Sequence, residues 1–237
     1  MTFSVYTNKG TKRKTNEDSY LIKEGECSVV ITVADGMGGH RAGDIASKLA
    51  VEYIDEYNFD FSGDLKEDLK EAIIGANDYI IKQGEKNEEY RGMGTTLSIG
   101  VIYKNMLYIG HIGDSRIYLY HNRELQQLTS DHSLVNSLLE KGRISKNEAE
   151  DHPRKHILTQ ALGIEEDLEI EINDLPLTQG DHLLFCTDGL TDMLNFEEIR
   201  EIMEENQGEV DLISRLLGER AMESGGNDNI TLVTGII

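Results

Sequence analysis

The sequence predicts an α+β fold, a mostly antiparallel β framework with amphipathic helices packed on its outer faces. Three observations carry this. Strand-like runs rich in β-branched and aromatic residues follow one another across short turns. Helical 3.6 periodicity is confined to a few segments, two of them back to back. The order is therefore strands, helices, strands, helices and a last strand, which is not an alternating βαβ chain.

The elements can be taken in turn. SVVITVA (28–34) is the first clear strand. Ala42, Ile45, Ala46, Leu49, Ala50, Tyr53 and Ile54 then form one apolar helical face, and Leu65, Leu69, Ala72, Ile73, Ala76 and Ile80 form a second. TTLSIGVIY (95–103) and MLYIGHIG (106–113) read as a hairpin turning at Lys104-Asn105, followed by the strand RIYLY (116–120). Residues 131–163 are polar, carry His132, His152 and His156, and interrupt the strand rhythm. They read as a surface insert or flap, with an ordinary connecting helical pair as the alternative. HLLFCT (182–187), a helix on Val210, Ile213, Leu217 and Ala221, and NITLV (229–233) complete the chain. There is no linker or repeat, so residues 1–237 are expected to form a single domain.

Composition excludes several function classes. With 23 basic and 44 acidic side chains the net charge is −21, which disfavours nucleic acid and anionic membranes as partners. No apolar run reaches membrane-spanning length and the N-terminus does not read as a signal peptide, so a cytoplasmic location is expected. Cys27 and Cys186 lie in apolar runs and read as reduced core residues.

The chemistry-bearing pattern is in the acids. Asp35, Asp114 and Asp188 each follow a strand-like run; Asp228 precedes one, as do Glu17 and Asp18. A sheet brings such ends together along one edge, where carboxylates repel unless cations neutralise them. The competing explanation is that Asp, and Asp-Gly above all, simply terminates strands. With no cysteine pair at zinc spacing, no HExxH and no EF-hand loop, an all-oxygen set suits Mg²⁺ or Mn²⁺. Two such ions would make an intervening water acidic enough to act as hydroxide. Gly36 after Asp35 lets its own carbonyl and the chain behind it approach such a site. Arg13, between Lys12 and Lys14, is a candidate phosphate clamp, or surface charge only.

Six motifs occur in order: RxxNED at Arg13–Asp18, ADGMGGH at Ala34–His40, RGMGTT at Arg91–Thr96, GDSR at Gly113–Arg116, TDGLTD at Thr187–Asp192 and GGNDNIT at Gly225–Thr231. Together they resemble the metal-dependent protein phosphatase (PPM) family, the type 2C Ser/Thr phosphatases, and within it the small bacterial members that counter Hanks-type kinases. The resemblance covers essentially the whole chain. It implies a sandwich of two antiparallel sheets flanked by helices on both outer faces, and hydrolysis of phosphoserine and phosphothreonine by a metal-bridged hydroxide. It implies two Mg²⁺ or Mn²⁺ ions, with a third in bacterial relatives. Asp35 would bridge two metals and Gly36 would offer its carbonyl. Asp188 and Asp228 would bind one metal, while Glu17 and Asp18 would act mostly through water. Arg13 would hold phosphate, and Asp114 with Asp188 matches the third position. The partners implied are phosphorylated proteins, among them a Ser/Thr kinase, and the enzyme is expected to be a monomer.

One departure matters. Eukaryotic members carry a His directly after the Asp-Gly pair, where this chain has Met37, whose thioether cannot donate a proton. The general acid stays open between a metal-bound water and His40, with a helix cap or a supporting contact the favoured alternative for His40. Two rival functions remain: the same enzyme dedicated to one partner, such as a phosphorylated regulator of a sigma factor, and an inactive binding module on the same scaffold. The acid at every matched ligand position speaks against the second.

Overall fold

The computed structural model describes residues 1–37, 42–145, 148–149, 152–164 and 167–237. One sheet runs in the order β1 (Thr2–Asn8), β11 (Ile230–Ile236), β10 (His182–Cys186), β7 (Arg116–His121) and β8 (Glu124–Gln127). The other runs β2 (Asp18–Glu24), β3 (Ser28–Met37), β5 (Leu97–Tyr103), β6 (Met106–Ile112) and β9 (Glu171–Pro176), with the short β4 (Gly94–Thr95) on the end of β3. The pairings within both sheets are antiparallel.

Side-chain alternation builds three apolar layers. On β3, Val29, Ile31 and Val33 point between the sheets, where they meet Ile109, Phe185 and Val233. Val30 and Ala34 point the other way, under helices α1 (Gly43–Glu56) and α2 (Leu65–Lys86). On β10, Leu183 and Phe185 face inward, while Leu184 and Cys186 pack toward α5 (Phe196–Glu205) and α6 (Val210–Glu223). Strands buried on both faces lose polar alternation, which is why these runs read as continuously apolar. Gly100 lies opposite the Phe185 ring, where a Cβ would come within 2.5 Å of it. The expected sandwich with helices on both outer faces is therefore what the chain forms. The hairpin turn also stands: Lys104 and Asn105 both have positive φ, 49° and 60°, as a tight two-residue hairpin turn requires.

Several expectations need correction. Cys27 is exposed, because it lies in the turn between β2 and β3 that the Gly25 N–H to Ser28 carbonyl bond closes; Cys186 is buried as expected. β1, β8 and β9 are additional strands, each with too many polar or half-exposed positions to read as an apolar run. β3 does not stop before Asp35 but continues to Met37, because Gly36 and Met37 pair with Thr95 and Gly94 of β4.

The 131–163 segment contains α3 (Leu134–Glu140), capped by the Ser133 side chain. It returns toward the sheet through bridges Ser133 to Leu158 and Thr95 to Leu162.

Candidate metal centre and active site

The alternation that fills the core also aims the acids. Asp35 shares the inward face of β3 with Val29, Ile31 and Val33, and its register partner on β2 is Asp18. Asp114 lies two residues beyond β6. Asp188 follows β10 by two residues and opens the short helix α4 (Asp188–Thr191), and Asp228 precedes β11 by two. The ends of five strands from both sheets thus meet at one end of the sandwich. There they surround a cavity of about 1040 Å³, lined by Arg13, Glu17, Asp35, Gly36, Met37, Asp114, Asp188 and Asp228 among others. Asp18 sits deeper, with Oδ2 accepting from the Thr187 hydroxyl at 2.9 Å.

The neighbouring backbone fixes this floor. Asp35 is held on both sides: its N–H donates to Thr96 Oγ1 at 2.8 Å, and its carbonyl accepts from the Thr96 N–H and from Thr95 Oγ1, both at 2.9 Å. Thr96 Oγ1 in turn contacts Ser115 Oγ at 2.7 Å, beside Asp114. Ser115 is tied through its carbonyl to Ser98 Oγ at 3.1 Å, and Ser98 Oγ to His111 Nδ1 at 2.8 Å. Gly36 cannot carry a side chain, because a Cβ would collide with the Gly43 carbonyl at the start of α1 and reach within 2.5 Å of the Glu17 carbonyl. This close approach is what the glycine after Asp35 permits.

The electrostatics are those of a cation site. Burial first, then the neighbouring carboxylates Asp188 and Asp228, push Asp18 up to about 7. Burial, then Asp192 and Asp228, raise Asp188 to about 6. Asp35 and Asp114 are pushed well above the carboxylate range by burial and then by neighbouring acids, and Asp35 lies close enough to Asp188 to share a proton. Asp18 Oδ1 and Asp188 Oδ1 are buried without a hydrogen-bond partner. Buried polar atoms are ordinarily satisfied. Orphaned carboxylate oxygens amid like charge fit hard divalent cations with oxygen ligands.

Arg13 also lines the cavity. Its Nη2 donates to Asp228 Oδ2 at 2.7 Å, with the Arg13 side chain half-exposed. Glu17 lines the same wall. Its N–H donates to Asn229 Oδ1, whose Nδ2 bonds the carbonyls of Lys9 and Thr15 at 2.9 Å. His40 lies outside the described residues.

Among the described residues Glu17, Asp35, Asp114, Asp188 and Asp228 line the cavity, with Asp18 deeper, and they are not drawn into one tight knot. Asp228 is engaged by Arg13, and Asp188 belongs to a cluster with His156 and Asp192 whose ligand atoms all lie within 4.8 Å of one another. Asp192 also pairs with Lys155 at 3.0 Å and with His156 at 3.5 Å. Sequence reasoning passed over Lys155, His156, Asp192, Thr96 and Asn229. Asp192 was available in TDGLTD, four residues after Asp188 and hence one helical turn on. Asn229 and Thr96 act through backbone atoms far away in sequence, which leaves no local signal.

Fold and site together define a two-sheet sandwich with an acid-lined cavity at one end, suited to divalent cations. The family model of protein phosphatase 2C matches residues 9–216, and the chain belongs to that family. It is 40% identical over 240 residues to the protein phosphatase PhpP of Streptococcus pneumoniae, covering 98% of this chain and 96% of that one. It superposes on the Mycobacterium tuberculosis serine/threonine phosphatase PstP/Ppp with a TM-score of 0.91 at 35% identity, covering 100% of this chain and 98% of the other. A structure of the PstP catalytic domain with two manganese ions matches at a TM-score of 0.85 and 34% identity, covering 98% and 96%. The chain is a metal-dependent protein serine/threonine phosphatase, and its substrates are phosphoproteins.

Proposed function

We propose that the carboxylate ring is the reaction centre and that Arg13 orients the phosphoryl group of phosphoserine or phosphothreonine within it. The observation that carries this reading is one cavity lined by Asp35, Asp114, Asp188, Asp228 and the Arg13 guanidinium, with a buried Asp188 oxygen left without a hydrogen-bond partner there and a second such oxygen on the deeper Asp18. Asp35, Asp188 and Asp228, with the Gly36 carbonyl, would hold two Mg²⁺ or Mn²⁺ ions, while Asp18 and Glu17 would act mainly through water. Asp114 with Asp188 would hold a third. Bound there, the ions would supply charge neutralisation and an acidified water. The protein's part is geometric: Thr95 and Thr96 fix Asp35, Asn229 fixes the loop bearing Arg13, and the guanidinium exchanges its bond to Asp228 for one to phosphate. Met37 lines the cavity but donates no proton.

A Ser/Thr kinase is proposed among the substrates, on the resemblance to bacterial phosphatases that oppose such kinases. A net charge of −21 supports the view that neither nucleic acid nor an anionic membrane is a partner, and none of the described helices is long and apolar enough to cross a membrane. The two free cysteines, one of them exposed, support a reducing, cytoplasmic setting. We also propose that the protein is a single-domain monomer, to be checked by light scattering.

The deciding experiment is phosphate release from a phosphothreonine peptide after EDTA treatment, with and without added Mn²⁺. Release that returns with Mn²⁺ is expected. Release that persists in EDTA, or stays absent with metal, would overturn the reading.

A further inference from the structure

The walls of the active-site cavity carry four full cations, Lys12, Arg13, Lys14 and Lys155, in a protein of net charge −21. Two of the four are already committed: Arg13 to Asp228 at 2.7 Å and Lys155 to Asp192 at 3.0 Å. Lys12 and Lys14 are exposed and form no ion pair with any described residue. They are also not on a loose tail. The turn carrying them is pinned before Lys12 by the Thr11 N–H to the Gly226 carbonyl at 2.7 Å and by Thr11 Oγ1 to the Gly225 carbonyl at 2.8 Å. It is pinned after Lys14 by Asn229 Nδ2 to the Thr15 carbonyl, and next by Asn16 Nδ2 to Thr7 Oγ1 at 2.8 Å. Both lysines therefore line the same cavity as Arg13, on either side of it in sequence, on a backbone held before and after them. The lining acids Glu17, Asp35, Asp114, Asp188, Asp192 and Asp228 outnumber the cations in the bare protein. Two bound divalent ions would reverse that balance, leaving a cationic well in a surface that repels anions elsewhere.

We propose that Lys12 and Lys14 form a subsite for a second anionic group on the substrate, a phosphoryl or a carboxylate within about two residues of the phosphoresidue being hydrolysed. This rests on the phosphoprotein-phosphatase reading of the site. The distance follows from chain geometry: an extended peptide advances about 3.3–3.6 Å per residue, and a lysine side chain spans roughly two such steps. The preferred substrate is then a doubly phosphorylated or acid-flanked segment. An exposed charge pair gives up to about fivefold in affinity, so two lysines facing one dianion should give roughly tenfold.

Three peptides around one phosphothreonine test this with the Mn²⁺-loaded enzyme. One has neutral flanks, one has glutamate two residues away on each side, and one has a non-hydrolysable phosphonate two residues away. The expected result is a kcat/KM for the charged peptides roughly tenfold above the neutral one, carried by KM and flattened by about 0.5 M salt. Preference for the phosphonate alone would assign the subsite to phosphoryl groups, and equal preference to anions generally. Lys12→Glu with Lys14→Glu should remove or invert the ratio, and the double alanine variant should bring it close to one, with thermal melts confirming that both remain folded. A wild-type ratio near one, or a ratio that survives the double charge reversal, overturns the proposal. Failure on all three peptides while para-nitrophenyl phosphate is still hydrolysed would overturn the protein-substrate reading itself, together with the subsite.

Discussion

The middle and the end of strand β3 are the same surface put to opposite uses. Val29, Ile31 and Val33 point between the sheets and are satisfied by packing. Asp35, next on the same face, ends among acids, pushed well above its ordinary pKa by burial and by Asp18, Asp188 and Asp114. The first three positions stabilise the fold and do no chemistry. The fourth destabilises the bare fold and, in the proposed role, would help to hold a cation. Stability and function are thus separated by two residues of one strand, and the two should separate in experiment.

The largest effect tests that separation directly. Asp35→Asn and Asp188→Asn should each nearly abolish turnover at saturating Mn²⁺, while the metal-free proteins melt no lower than wild type, because a buried repulsive charge has gone. Ile31→Ala should do the reverse, costing about 2–5 kcal/mol of stability and leaving kcat of the folded fraction intact. Turnover above a third of wild type in either Asn variant, or a collapse of its melting temperature, would show that the end of the strand is structural too.

A second test uses pH. Asp18 at about 7 and Asp188 at about 6 have folded pKa values above the ordinary carboxylate value near 4. Between those limits the folded chain keeps protons that the unfolded chain has released, so stability falls as pH rises. His111, fully buried and held down to about 3 by burial and by His132, acts oppositely below pH 6.5, because it must stay neutral to remain folded. Two acids that hold protons outweigh one histidine that gives its proton up, so the metal-free protein should already weaken from about pH 5 to pH 7, by about 1.4 kcal/mol for each pH unit over which one net proton is lost. Mn²⁺ held by these carboxylates would keep them ionised. The gap between loaded and metal-free melting temperatures, in which His111 cancels, should widen from pH 6 to 8. A constant or narrowing gap would mean that these acids do not hold the metal.

Arg13 should give a smaller effect. It is half-exposed and, on the proposed role, would trade its Asp228 carboxylate for one phosphate. Arg13→Ala should raise KM about ten- to a hundredfold, a loss of roughly 1.5–3 kcal/mol, with kcat little changed if the contact is equal in ground and transition states. Unaltered KM and kcat in steady-state assays would reduce it to surface charge.

The sequence made the two-sheet framework legible where strands are buried on both faces, because apolar runs such as SVVITVA and HLLFCT leave few alternatives. It hid β1, β8 and β9, whose partly exposed faces carry polar residues, and it misplaced Cys27, since one residue decides whether a side chain lies in a strand or its turn. The acids were legible as strand-end residues because each is local to its own run. What holds them was not: Asn229 reaches Thr15 across 214 residues, and Asp35 meets Thr96 across 61. Such contacts follow from register, which only the folded sheets reveal. The same holds for Lys155 and His156, whose place beside Asp192 depends on how the segment after α3 returns.

That hidden support gives the smallest and most specific test. Thr96 Oγ1 accepts from the Asp35 N–H, so its own hydrogen is free for Ser115 Oγ at 2.7 Å. One hydroxyl thus ties the strand bearing Asp35 to the loop bearing Asp114. Thr96→Val keeps the shape but leaves the Asp35 N–H buried without an acceptor, a loss of about 1–3 kcal/mol. Thr96→Ser keeps the hydroxyl and should lose less than about 1 kcal/mol, mainly from the missing methyl contact with Gly113. If the tie serves only the fold, both variants should bind Mn²⁺ as wild type does once their melting temperatures are matched by choice of assay temperature. If it positions the acid, the valine variant should need about tenfold more Mn²⁺ for half-maximal activity and the serine variant should recover it. Equal Mn²⁺ dependence in the two would place Thr96 with the packed middle of the sandwich and not with its reactive end.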